Sequence, residues 1–139
     1  MRRIDEIIIH CTATRPGQKA DVATITRWHK QRGFKTIGYH FVIDKAGTIH
    51  AGRPIEQIGA HCKGHNAYSI GICYEGGLDK HGNPADTRTL LQRMAMKELV
   101  AQLLGQFPEA TVHGHREFAN KACPCFDVET LTEQLSHDG

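Results

Sequence analysis

Apolar and polar positions alternate in short blocks along this chain, with two longer stripes at helical spacing. Ile4 to Ile9 is a β-branched run bounded by polar residues, which predicts a buried strand with His10 at its end. Thr12 to Ala20, containing Pro16-Gly17, predicts a loop. From Asp21, an N-cap, through Val22, Ile25, Trp28 and His29 to Gly33, apolar residues recur every three or four positions. That spacing predicts an amphipathic helix with a glycine stop and Trp28 in the core. Gly38 to Asp44 and Thr48 to Arg53 read as two strands of a hairpin around Lys45-Ala46-Gly47. Tyr39 and Phe41 then share one face, and His40 and Val42 the other. Pro54 to Ser69 has no periodicity and reads as a long loop, followed by a strand at Ile70 to Glu75 and a second loop at Gly76 to Asp86. Thr87 opens the longest helix, whose stripe of Leu90, Leu91, Met94, Leu99, Val100, Leu103 and Leu104 is expected in the core. Thr111 to His113 forms a last short strand, and Asp127 caps a final helix through Leu131 and Leu135.

Strands interleaved with helices predict a single α/β domain spanning residues 1–139, with a mixed central sheet flanked by α-helices. No internal repeat, linker or low-complexity segment interrupts it, so no separate cell-wall-binding domain is expected. Apolar residues make up 40% and charged ones 23% of the 139, the balance of a soluble globular protein. No apolar run approaches the roughly 18 residues of a membrane helix, so no membrane insertion is expected. The start, MRRIDEIIIH, is too short in apolar residues for a signal-peptide core. Synthesis in the cytoplasm without a signal peptide is the expectation, unless another protein carries the chain out. A net charge of +2 is too small and scattered to argue for nucleic acid. Five cysteines are an odd number, and they sit beside other candidate ligands, which favours reduced thiols over a disulfide framework.

The densest chemistry lies in His113 to Asp127, HGHREFANKACPCFD. Two imidazoles, two thiols, a lysine and an arginine within one short stretch point to a metal site. Thiolate and imidazole together suit zinc, and a catalytic zinc takes three protein ligands with a fourth position left for water. No His-Glu-x-x-His occurs, and no paired Cys-x-x-Cys knuckles. His115-Arg116-Glu117 matches the His-x-Glu of nucleotide deaminases, but the Pro-Cys-x-x-Cys they also need is missing. An open site of His, His and Cys type remains, with one ligand from elsewhere in the chain. His10 is one source, although a histidine at a strand end also reads as a hydrogen-bonded core residue.

The segments IIIHCTAT, Trp28-His29-Lys30, GYHFVID, GTIHAGR, NAYSIGI and HGHREFANKACPCFD, in that order, carry a resemblance. The chain resembles the zinc amidases of the N-acetylmuramoyl-L-alanine amidase type, which include the phage lysozymes and the peptidoglycan recognition proteins. The resemblance covers nearly the whole chain. It implies one Zn²⁺ per chain on His10, His115 and Cys123, with Tyr39 and Lys121 as catalytic residues. It implies cleavage of the amide between the lactyl group of N-acetylmuramic acid and L-alanine in peptidoglycan. Zinc would polarise a water there, Lys121 would supply charge to the developing oxyanion, and Tyr39 would either orient the water or bond the oxyanion. His61, Arg53, Asn66 and Ser69 are expected as substrate contacts. His61 is also a candidate proton donor to the leaving amine, and reads equally as a solvated loop histidine.

The implied setting is a monomeric endolysin of a phage or prophage, acting on the cell wall after release. A non-catalytic peptidoglycan-binding or regulatory protein on the same fold is the alternative, against which Lys121, Tyr39 and Cys123 all argue. Cys125 departs from the family, where a small non-ligand residue is more usual at that place. Pro124 pushes Cys123 toward an extended conformation, so Cys125 is expected to turn into the packing and leave the metal to Cys123.

Overall fold

The computed structural model describes residues 2–132. Five strands form one mixed sheet: β1 (Glu6–Cys11), β2 (Phe41–Ile43), β3 (Ile49–Ala51), β4 (Ser69–Tyr74) and β5 (Thr111–Gly114), in the order β3-β2-β4-β1-β5. Neighbours run parallel except the β2–β3 edge hairpin. Strands β1 and β4 lie at the centre and are buried on both faces, which is why they read as continuous apolar runs rather than alternating ones. His10 stands opposite Cys73, and Ile9 opposite both Ile72 and Gly114.

Helix α1 (Val22–Gln31) begins where Asp21 Oδ1 accepts from the Thr24 N–H at 2.9 Å. It ends in a double back-bond, Gly33 N–H to Lys30 O and Phe34 N–H to His29 O, with Gly33 at φ +91° supplying the left-handed turn. Its Ile25 packs with Ile37 and Val42, and Trp28 lies half-buried against that cluster. Helix α2 (Leu90–Gln106) covers the other face, where Met96, Leu99, Val100 and Leu103 meet Ile7, Ile9, Ile70, Ile72 and Tyr74. Side chains two apart on a strand share a face. Ile7 and Ile9 therefore face α2, whereas His10 and its partner Cys73 face the α1 side.

Three expectations are corrected. The first strand runs two residues later than Ile4 to Ile9, so His10 sits within the ladder and not beyond it. The long helix begins at Leu90 with Thr89 as its cap, not at Thr87. Its first-turn apolar residues are not core: Leu90 is 72% exposed, Leu91 53% and Met94 59%, while Gln92 is completely buried. The Gln92 amide donates to Ile43 O at 3.2 Å and Glu75 O at 3.0 Å, and its Oε1 accepts from the Thr89 N–H at 2.9 Å. A polar side chain thus joins the helix start to the sheet, adding a second bond to Ile43 O, which already accepts from the Glu75 N–H, and a bond to Glu75 O that an apolar side chain could not make. Glu129 to Thr132 are helical, and Leu135 lies outside the described residues.

Candidate metal centre

Three elements bring candidate ligands to one point on the α1 side of the sheet. His10 comes from β1, buried and paired with Cys73 of β4, one residue beyond the last β1–β5 pair at Ile9. His115 opens a 3-10 turn, His115–Glu117, directly after β5. Cys123 lies in the following turn, whose Cys123-Pro124 peptide bond is cis. That turn is held from three directions. Arg116 N–H donates to Cys123 O at 2.7 Å, the buried Tyr74 hydroxyl donates to Pro124 O at 2.7 Å, and Cys11 N–H donates to Cys123 Sγ at 3.2 Å.

The ligand atoms of His10, His115 and Cys123 all lie within 4.8 Å of one another, and the two Nδ1 atoms are 3.2 Å apart. Metal–nitrogen bonds of about 2.0–2.1 Å at tetrahedral angles set two nitrogens roughly 3.3 Å apart. The spacing and the donor set therefore fit a small divalent ion of zinc's kind. Burial, then the nearby His61, His115 and Lys121, hold the His10 imidazole well below its ordinary pKa. Burial and Lys121 lower His115 likewise. Neutral imidazoles are the form a metal needs.

Tyr39 stands over His10, ring centroids 5.0 Å apart. Burial, followed by the thiols Cys73, Cys123 and Cys11, pushes its phenol well above the ordinary range, so it stays an O–H donor. Lys121 is exposed, on the wall of a cleft of about 670 Å³ that also has Tyr39, His61, Asn66, His115 and Cys123 in its lining.

The four expected substrate contacts separate. His61 borders the cleft but is buried, not solvated: Nδ1 lies 2.8 Å from His10 Nε2 and Nε2 lies 3.1 Å from Ser69 Oγ. With both ring nitrogens engaged, it is not free to serve a leaving amine. Asn66 borders the cleft as well, but its Oδ1 accepts from both His61 N–H and Cys62 N–H at 2.9 Å, holding the loop that carries His61. Ser69 is fully buried and does not reach the cleft. Arg53 also lies off the cleft, its guanidinium donating to Ile37 O at 3.0 Å, Ile58 O at 2.8 Å and Thr36 O at 3.4 Å. Ser69 and Arg53 thus hold internal hydrogen bonds and do not line the cleft.

Arg32, Phe34 and Lys63 line the cleft and were passed over in the sequence. Gly33 was the available signal for the first two, since a left-handed residue after a helix turns its neighbours back across the preceding face.

Comparison with known proteins gives the family of the chain. The N-acetylmuramoyl-L-alanine amidase family matches residues 1–126. The endolysin of Escherichia phage T7 is 41% identical over 130 residues, which cover 94% of this chain and 86% of the relative. Among solved structures, the N-acetylmuramoyl-L-alanine amidase LysC from Clostridium intestinale URNW superposes with a TM-score of 0.85 at 30% identity, covering 97% of this chain and 87% of its own. Wild-type Drosophila PGRP-LB superposes with a TM-score of 0.75 at 26% identity, covering 89% of this chain and 76% of its own. The chain belongs to the N-acetylmuramoyl-L-alanine amidase family, as a peptidoglycan amidase akin to the phage endolysins.

Proposed function

We propose that this amidase is zinc-dependent, holding one Zn²⁺ on His10, His115 and Cys123 and cleaving the lactyl-to-L-alanine amide of peptidoglycan. The observation that carries this reading is the convergence of two imidazole nitrogens and one thiol within 4.8 Å beside the cleft. When bound, the ion supplies a Lewis acid that polarises water or a carbonyl oxygen. The protein's own groups do the rest. Tyr39, kept protonated by its surroundings, donates its O–H toward charge developing on the amide oxygen. Lys121 brings a cation to the same wall of the cleft and also binds the anionic wall polymer. Asn66, which borders the cleft and fixes the His61 and Cys62 backbone, would shape the surface the stem peptide meets.

The setting we propose is a monomer that acts on the wall after release, in the manner of phage and prophage endolysins. Among the described residues no helix is long and apolar enough to cross a membrane. Digestion of defined muropeptides tests the reading. New L-alanine amino termini should appear, disappear after chelation or near pH 5, and return with added zinc. Undiminished cleavage by protein measured to be metal-free defeats the zinc mechanism. Wall binding without new amino termini points instead to the non-catalytic alternative.

A further inference from the structure

We propose that His61 and Ser69 are positioning residues that fix the tautomer and orientation of His10 through a buried relay, His10 to His61 to Ser69. The proposal rests on the zinc reading above and assigns it a supporting shell. A histidine that gives Nδ1 to a metal must carry its proton on Nε2, and that N–H needs a buried acceptor. Here the group 2.8 Å from His10 Nε2 is His61 Nδ1. An imidazole accepting at Nδ1 carries its own proton on Nε2, and that proton goes to Ser69 Oγ at 3.1 Å. One choice of tautomer satisfies every ring nitrogen, and the same choice turns His10 Nδ1 toward His115 Nδ1 and Cys123 Sγ. A relay with its protons the other way round places a proton on the ligand nitrogen.

The fold is built around this ring. Ser69, Gly71 and Cys73 share the α1-side face of β4. A Cβ at Gly71 would come within 2.7 Å of His61 Cγ, and a Cβ at Gly59 within 2.9 Å of His61 Cδ2. Glycine in a buried strand interior weakens the strand, so its presence opposite an imidazole marks a seat cut into the sheet for that ring. The Asn66 carboxamide then pins the backbone of His61 itself. His10, His61 and Ser69 are 1%, 9% and 0% exposed, so substrate does not explain the arrangement.

Zinc affinity by competition with a chromophoric chelator, and the visible spectrum of the cobalt-substituted protein, test this on the whole chain. His61→Leu should lose zinc affinity by roughly 10- to 100-fold, the usual effect of removing an outer-shell partner, with altered cobalt bands. His61→Asn, which sets a carboxamide oxygen near the place of Nδ1, should recover most of that loss. Ser69→Ala should weaken binding in the same direction by a smaller factor. A role in packing alone predicts the reverse pattern, in which Leu and Asn lower the unfolding temperature of the metal-free protein but leave zinc affinity and cobalt bands as in wild type. That result overturns the proposal. If His61→Leu does not fold, His61→Asn and Ser69→Ala decide: a Ser69→Ala protein with wild-type affinity and spectrum overturns the relay. Wild-type protein that takes up no zinc overturns the zinc reading and the relay together, so the two failures are told apart by the wild-type measurement.

Discussion

Cys123 and Cys125 are two residues apart, carry the same functional group, and occupy different environments. Cys123 Sγ faces His10 and His115, while Cys125, at φ +69°, turns its thiol to 3.9 Å from Cys11 Sγ. Burial, followed by Cys11, pushes the Cys125 thiol up to about 12, the mark of a protonated packing residue rather than a ligand. Cys123→Ser should therefore abolish tight zinc binding and activity. Cys125→Ser should keep both with at most a modest loss of stability, as read from bound zinc per chain beside amidase rate. A zinc-free Cys125→Ser protein next to an active Cys123→Ser protein would reverse the ligand assignment. Tyr39 and Lys121 give a second residue-level expectation. Tyr39→Phe and Lys121→Ala should keep stoichiometric zinc and lose on the order of 10²-fold in rate each, as for one oxyanion donor; loss of zinc along with rate would make them structural. The convergence of His10, His115 and Cys123 was legible because soft side chains crowd one stretch and the order of motifs supplied the third. The roles of His61, Ser69 and Arg53 were not, because each depends on a partner many positions away, such as His10 for His61 or Ile37 O for Arg53.

At the scale of elements, periodicity found every strand and both long helices and placed the limits of α1, but misplaced several strand limits and the start and one face of α2. The first strand is shifted because Ile4, although buried, precedes the first paired residue, Glu6. Apolarity marks burial, whereas pairing is set by neighbours the sequence does not display. The α2 start failed for a related reason. Leu90, Leu91 and Met94 continue the apolar stripe by composition, yet the turn that meets the sheet presents Gln92, whose amide completes a capping box with Thr89 and reaches two strand-end carbonyls. Gln92→Ala removes the cap partner and both of those bonds in a buried place. It should cost roughly 2 kcal/mol or more, seen as a lowered denaturant midpoint at unchanged slope. A midpoint equal to wild type would mean that water replaces the amide without loss. Leu90→Ala, at an exposed position, should change stability by no more than about 0.5 kcal/mol in the same assay.

For the whole molecule, the histidines of the α1 side impose a pH dependence on stability. Burial lowers His29 to about 4, His40 to about 4 and His61 to about 3. Each accepts a proton in the unfolded chain near 6.5 and resists it in the fold. Between those values the unfolded state binds more protons, so stability is full above about pH 6.5 and falls as the pH drops toward 4. Equilibrium unfolding of the metal-free protein should take up roughly two to three protons near pH 5. A melting temperature flat from pH 7 to 4 would contradict the buried, neutral state of these rings. The same fall should be steeper with zinc present, because protons also compete for the ligands.

The proposed ligands His10 and Cys123 lie at opposite ends of the described chain, and they meet only because β1 pairs with both β4 and β5. His115 and Cys123 are tied locally through Arg116 N–H to Cys123 O, but the turn that carries Cys123 is completed by Tyr74 and Cys11 from other strands, and His10 joins them only through the sheet. On the zinc reading, the full three-ligand site therefore forms only once the sheet has closed, and capture of the ion would be a late event in folding. Zinc should slow unfolding by about the factor its affinity dictates while leaving the refolding rate nearly unchanged, since contacts absent from the transition state act on escape from the native state. Stopped-flow refolding that accelerates with zinc would mean instead that the two ends of this chain find each other early.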